Sequence, residues 1–164
     1  MSIAILMKLL HVGAAFWFIT GLFARNLTLT QMGRTTDIQV FQGLVQLAGR
    51  FENGGVIPGS LAVLAVGVLT AWAQGWPAAG LLPAAGSGWL FVSLVLYVTL
   101  FPIVPLIFLP RGRVFEAALD KAVAAGSVTA ELKAALNDRV VALSHAYEML
   151  VVAVIVALMV TKPF

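Results

Sequence analysis

The sequence predicts an all-α fold: a four-span transmembrane helix bundle with a short interfacial amphipathic helix and a cytoplasmic helical hairpin. Three observations predict it. The 164-residue chain is 61% hydrophobic and only 10% charged, against about 25% charged residues in an ordinary soluble domain. Four apolar runs, at about 3–23, 56–76, 89–109 and 140–160, match the roughly 20 residues a helix needs to cross hydrocarbon. The two long stretches between them, 25–54 and 110–139, keep a helical spacing of apolar residues. A chain of this length is expected to form one integral membrane domain.

The first run carries no small-residue cleavage site, because Phe23, Arg25 and Asn26 stand where one would be needed. It is therefore expected to stay in place as a span rather than leave as a signal peptide. In the loop after it, Ile38, Phe41, Leu44, Val45 and Ala48 fall on one helical face, with Gln39, Gln42, Gln46 and Arg50 on the other. Such a segment suits a helix lying on the membrane surface, started by Thr35, Thr36 or Asp37. It equally suits the inner end of a bent second span interrupted at Asn53, Gly54 and Gly55. Pro102 and Pro105 should bend the third span near its cytoplasmic end. In the third loop Gly126 should stop one helix. Ser127 or Thr129 should cap the next, with Glu131 in its first turn, and this second arm is expected to run unbroken into the fourth span. Gly13, Ala14, Ala15 and Gly21 on the first span, and Gly59, Ala62, Ala65 and Gly67 on the second, allow close helix packing.

Charge sets the orientation. Eight of the ten Lys and Arg residues lie in or beside the loops 25–54 and 110–139, leaving Lys8 and Lys162 at the other face. Basic loops stay in the cytoplasm, so both termini are expected outside. The net charge of +3 then reports topology and not nucleic-acid binding. With no cysteine, disulfide and thiolate metal sites are excluded. No Walker loop, nucleophile elbow or zinc-protease motif is present, so hydrolase and transferase chemistry has no support.

The chemistry must come from polar residues inside the spans, where ionisable groups are costly and face a partner, a cavity or a cofactor. The only two histidines are there: His11 in the first span and His145 in the fourth, with Glu148 one turn beyond His145. Two imidazoles on facing helices are what a b-type haem asks for, although on an ideal rise their levels differ by roughly 10 Å. Glu148 lies nearer the level of His11, and the pair His11 and Glu148 would offer nitrogen and oxygen ligands to a transition metal. A second polar group gathers at the cytoplasmic ends from Arg25, Asn26, Arg50, Glu52, Asn53, His145 and Glu148, with Tyr97 and Thr99 from the third span. Arg25 and Arg50 there could hold haem propionates.

The stretches LLHVGAAFWFITGLFARNLTL, FENGGVIPGSLAVLAVGVLTAWAQGW and LMVTKPF resemble a bacterial family of predicted four-helix integral membrane proteins, domain of unknown function 2269, over essentially the whole chain. The opening is also similar to copper-resistance D-type domains and to membrane protoporphyrinogen oxidase. In those groups a first-helix histidine is functional, which implies a role for His11. The oxidase pattern further implies a lysine on the third helix, and none lies between Trp89 and Leu109; the methionines also lack a copper-relay cluster. The resemblance implies a bacterial cytoplasmic (inner) membrane location.

Together these residues lead to a small, redox-associated membrane protein binding haem b or a metal ion between helices 1 and 4. Two alternatives need no cofactor: an accessory subunit of a larger membrane complex or homo-oligomer, and a proton or ion carrier. The lipid bilayer is a partner in each. The residues name no reaction.

Overall fold

The computed structural model describes residues 2–76 and 86–163. The interior of the connection between the second and third runs lies outside the described residues. Among the described residues all regular structure is helical. The helices are α1 (Ile3–Arg34), α2 (Ile38–Phe51), α3 (Ile57–Ala73), α4 (Gly88–Val98), α5 (Leu109–Ala124), α6 (Ala130–Leu136) and α7 (Arg139–Thr161). Wider π-helical turns precede α3 (Glu52–Val56) and α5 (Val104–Phe108).

α1 continues well past residue 23, the expected end of its span. No proline interrupts residues 24–34, and Met32 is buried with Phe41, Ala48, Ala118, Ala122 and Leu132 in a core shared with α2, α5 and α6. Packing against those three elements thus extends the helix. The amphipathic segment is a helix, capped by the Asp37 carboxylate, which accepts from the Gln39 and Val40 N–H groups. It runs through the π-helical turn into α3, so it is the first part of one continuous run, Ile38–Ala73, and not a separate helix. The turn has a local cause. Pro58 cannot donate to the Gly54 carbonyl four residues earlier, and the indole N–H of Trp17 on α1 donates to that carbonyl instead, at 3.0 Å.

Prolines act more strongly on the third run than a bend. α4 ends at Val98, and the chain tightens: Leu100 bonds back to Tyr97, Phe101 to Val98 and Ile103 to Leu100. The ring of Pro102 would collide with the Val98 carbonyl in a continuing α-helix. Gly126, at φ +67°, ends the first arm of the hairpin, and Thr129 caps α6 by accepting from the Leu132 N–H. The second arm is not continuous with the last span. It stops at Leu136, and Asp138 starts α7 by accepting from Val140 and Val141 at 2.8 and 3.2 Å. A carboxylate turned onto its own backbone in this way favours a new helix start over continuation.

Among the described residues three stretches, Ile3–Arg34, Ile38–Ala73 and Ala130–Thr161, the last with its break at 137–138, are long and apolar enough to cross a membrane, and α4 adds a shorter apolar helix of 11 residues. Many large side chains point outward, among them Phe16, Leu27, Trp72, Leu143 and Val160. On this scale an apolar exterior marks a lipid-facing surface. Inside the bundle, Phe18, Leu22, Val56 and Tyr97 form the buried centre. α1 and α3 touch backbone to backbone. A Cβ on Gly59 would sit 2.9 Å from the Phe18 Cα, and one on Gly21 would sit 2.9 Å from Gly55. Gly13, by contrast, has open space around it.

Gly59→Leu should therefore destabilise the bundle by about 1–3 kcal/mol or more, the usual cost of overpacking, while Gly13→Leu should be nearly neutral. Unfolding of both variants in detergent micelles checks this. A second expectation concerns Asp138. Desolvation pushes its carboxyl up, but the Val141 and Val140 N–H donors and the Arg111 guanidinium outweigh it and hold the carboxyl below the ordinary aspartate range. A depressed carboxyl stabilises the fold above its unfolded pKa and loses that contribution as pH falls through the lower folded value. Amide protection at Val140 and Val141 should accordingly hold at neutral pH and fade in acid, and Asp138→Asn should flatten that pH dependence.

Candidate functional site

The polar residues inside the helices separate into two places. The first is built on the buried stripe of α1, where Phe18, Gly21, Leu22, Arg25, Thr28 and Met32 recur every three or four residues. Arg25 lies on that stripe and is 4% exposed. Its Nη1 donates to Glu52 Oε2 at 2.7 Å and its Nη2 to Glu148 Oε2 at 2.6 Å. The planar guanidinium fork suits two carboxylates arriving from different elements, and it links α1, the π-helical turn and α7. His145 Nδ1 lies 3.0 Å from Arg25 Nη2 and 3.1 Å from Glu148 Oε2, and the Phe108 ring stacks on the imidazole with centroids 4.6 Å apart.

The second place lies at the end of the bundle that carries both termini. A cavity of about 600 Å³ opens between α1, α3, α4 and α7. Its wall is mainly apolar, from side chains such as Ile19, Leu64 and Val152, and His11 is the imidazole in it. The His11 ring packs against Gly67, where an added Cβ would approach its Cε1 to 3.0 Å. The Val63 carbonyl one turn earlier faces the ring, yet Nδ1 is buried without a hydrogen bond of normal geometry. Ser93 and Tyr97 also line the wall, but their hydroxyls are spent on the Trp89 and Ser60 carbonyls. Lys8 and Lys162 stand at the mouth, and the Lys162 ammonium sits 5.3 Å over the Trp89 ring.

Several expected pairings are not formed. His145 belongs to the Arg25 group, and Arg25 lies 14 residues along α1 from His11, about 21 Å at the α-helical rise. The two histidines are at different ends of the bundle, so they do not face one another across one haem. His11 and Glu148 do not meet either, because Glu148 is held by Arg25 and His145. Arg50 is exposed, and Glu52 takes the place beside Arg25. Tyr97 and Thr99 are outside the cluster too, Thr99 bonding Tyr147 at 2.6 Å. Among the described residues no three His, Cys, Asp or Glu side chains come together as a metal site. Phe108 and the cavity were not foreseen. The cavity walls are ordinary span residues, with nothing in their spacing to set them apart from lipid-facing ones.

Fold and site define a helical integral membrane protein with a buried ionic cluster and an apolar cavity. The chain belongs to the family described as predicted integral membrane protein (DUF2269), whose model matches residues 5–163. No curated protein and no solved structure matches it, so the likeness to copper-resistance D-type domains and to the oxidase rests on the sequence stretches alone.

Truncating Arg25 to Met should cost about 3–5 kcal/mol, because it leaves the Glu52 and Glu148 carboxylates without their shared countercharge in a low-dielectric interior. Arg25→Met with Glu148→Leu together should cost much less than Arg25→Met alone, because only Glu52, the more exposed carboxylate, is then left unpaired. Unfolding of the variants in mild detergent reads the difference.

Proposed function

We propose that this is a small redox-associated membrane protein whose working part is the cavity beside His11, and that its occupant is a flat, apolar, carboxylate-bearing cofactor of the haem b class. One observation carries this reading: an imidazole without a completed hydrogen bond lines a mainly apolar cavity of about 600 Å³, within the usual 300–1,000 Å³ of small-molecule sites. His11 would be the single protein ligand. Gly67 leaves room for the ring beside α3, and the imidazole, its Nδ1 without a hydrogen-bond partner, would coordinate the iron. Lys8 and Lys162 at the mouth suit two propionates. When bound, such a group supplies a one-electron couple. His145 and Arg50 have no part in holding it, and Arg25 serves the ionic cluster. The excess of basic residues in the long loops supports both termini facing outward across a bacterial inner membrane.

The absorption spectrum of the purified, reduced protein tests the reading. A Soret band lost in His11→Ala and kept in His145→Ala is the expected result. A colourless protein that also fails to take up added haemin would overturn it and leave the accessory-subunit role as the better account.

A further inference from the structure

Four helices surround the cavity in the order α1, α3, α4, α7, and three of the four seams between neighbours are tied at both ends. α1 meets the α3 run where the Trp17 indole bonds the Gly54 carbonyl and, nearer the termini, where the Thr70 hydroxyl lies 2.9 Å from the Met7 carbonyl. α3 and α4 are joined by the Tyr97 hydroxyl, which donates to the Ser60 carbonyl at 2.6 Å, and by Trp76 against Trp89, with centroids 5.5 Å apart. α4 and α7 are joined by Thr99 bonding Tyr147 and by Lys162 over the Trp89 ring. The fourth seam differs. Among the described residues every hydrogen bond and ion pair between α1 and α7 is made by Arg25, to Glu148 and His145.

From that clasp towards the termini the two helices part. Most residues lining the cavity are buried or half-buried. Its exposed apolar ones are Val12 and Phe16 on α1 and Val156 and Val160 on α7, between 43% and 77% exposed. At the helical rise, Phe16 and Val12 lie roughly 14 and 20 Å along α1 from Arg25, and Val156 and Val160 roughly 12 and 18 Å along α7 from Glu148. The four therefore stand at matching levels, as the two edges of one slot. Outside it lies the apolar exterior that faces lipid. The exposed polar lining residues, Lys8, Gln74 and Lys162, belong to the other opening, at the end with the termini.

We infer that the cavity is loaded from the bilayer: its ligand slides in sideways through the slot between α1 and α7, while its carboxylates travel at the level of Lys8 and Lys162. This route presupposes that the cavity holds the apolar, carboxylate-bearing cofactor proposed above, and it adds the phase that supplies it. The chemistry of such a molecule selects the route. Its body is driven into hydrocarbon, whereas its charged groups are costly there and stay at the water boundary. Sideways entry keeps both where they are at every step. Entry through the terminal opening would first carry the apolar body into water. The opposite end is closed by the Arg25 ion pairs and by the packed Phe18 and Tyr97 rings. The edges of the slot are hydrocarbon side chains, which give a water-soluble molecule no hydrogen bond to replace those it would lose.

Haemin uptake by the full chain in lipid vesicles, followed as growth of the Soret band, tests the route. Val12→Trp with Val156→Trp narrows the slot from both edges, and each substitution alone decides the matter if the pair does not fold. Uptake and release should both slow by about tenfold or more, because a barrier at the doorway enters both rates alike. Gln74→Trp, which crowds the terminal opening, should slow neither. Rates untouched by the slot variants, or slowed by Gln74→Trp instead, overturn the route and leave the cofactor reading standing. A palmitate bearing a diazirine shares the apolar body and carboxylate and needs no haem. On illumination it should label the cavity wall at Leu64 or Leu94, and the slot variants should abolish that labelling. This result in a protein that takes up no haemin sinks the haem reading and supports the slot. Labelling confined to outward residues such as Leu61, or wall labelling that the slot variants leave intact, overturns it.

Discussion

The guanidinium of Arg25 is the constraint on which the half of this bundle remote from the termini depends. A permanently charged group buried at 4% exposure can persist only if fixed countercharge meets it with good geometry. Here that countercharge comes from two elements far apart in sequence. Glu52 must be delivered by the turn before α3 and Glu148 by the first half of α7, and each contact fixes the rotation of its helix about its own axis. The apolar faces of these helices could slide against lipid or each other at little cost. The ionic contacts cannot, so the register of three elements follows from one side chain.

The π-helical turn at Glu52–Val56 shows how backbone chemistry serves that arrangement. Pro58 leaves a carbonyl open at Gly54, and Trp17 closes it from the neighbouring helix. Gly55 lets the α1 backbone approach at Gly21. The same five-residue segment therefore bends the second run, seats it against α1 and presents Glu52 to Arg25. Wider turns of this kind often mark functional positions within helices. The second one, at Val104–Phe108, brings Phe108 onto the His145 ring.

Much of the architecture was legible in the sequence, because it follows from hydropathy, capping residues and prolines acting locally. The apolar runs, the glycine stop at Gly126 and the Thr129 cap are of that kind. The limits lie where distant segments decide the outcome. Hydropathy could not show that α1 extends to Arg34, since Met32 is held by a core drawn from α2, α5 and α6. Span midpoints set His145 roughly 10 Å from the level of His11, with Glu148 between them, but they could not assign its partner. Arg25 could have been recognised as inward-facing, because it continues the stripe of Phe18, Gly21 and Leu22. Its meeting with Glu52 depends on how the turn before α3 packs against α1, which has no signature in helical periodicity. The cavity had no signal at all, being a property of how helices diverge and not of which residues they carry.

α1 carries both features of interest on one uninterrupted rod of 32 residues. Its tightest contacts with α3, at Phe18 and Gly21, fall between them, roughly 13 Å from the level of His11 and roughly 8 Å from that of Arg25 at 1.5 Å per residue. Such a rod behaves as a seesaw with a glycine fulcrum. Any rocking imposed at the charged end reappears at the greasy end with opposite sense and larger amplitude, since nothing along the beam is soft enough to absorb it.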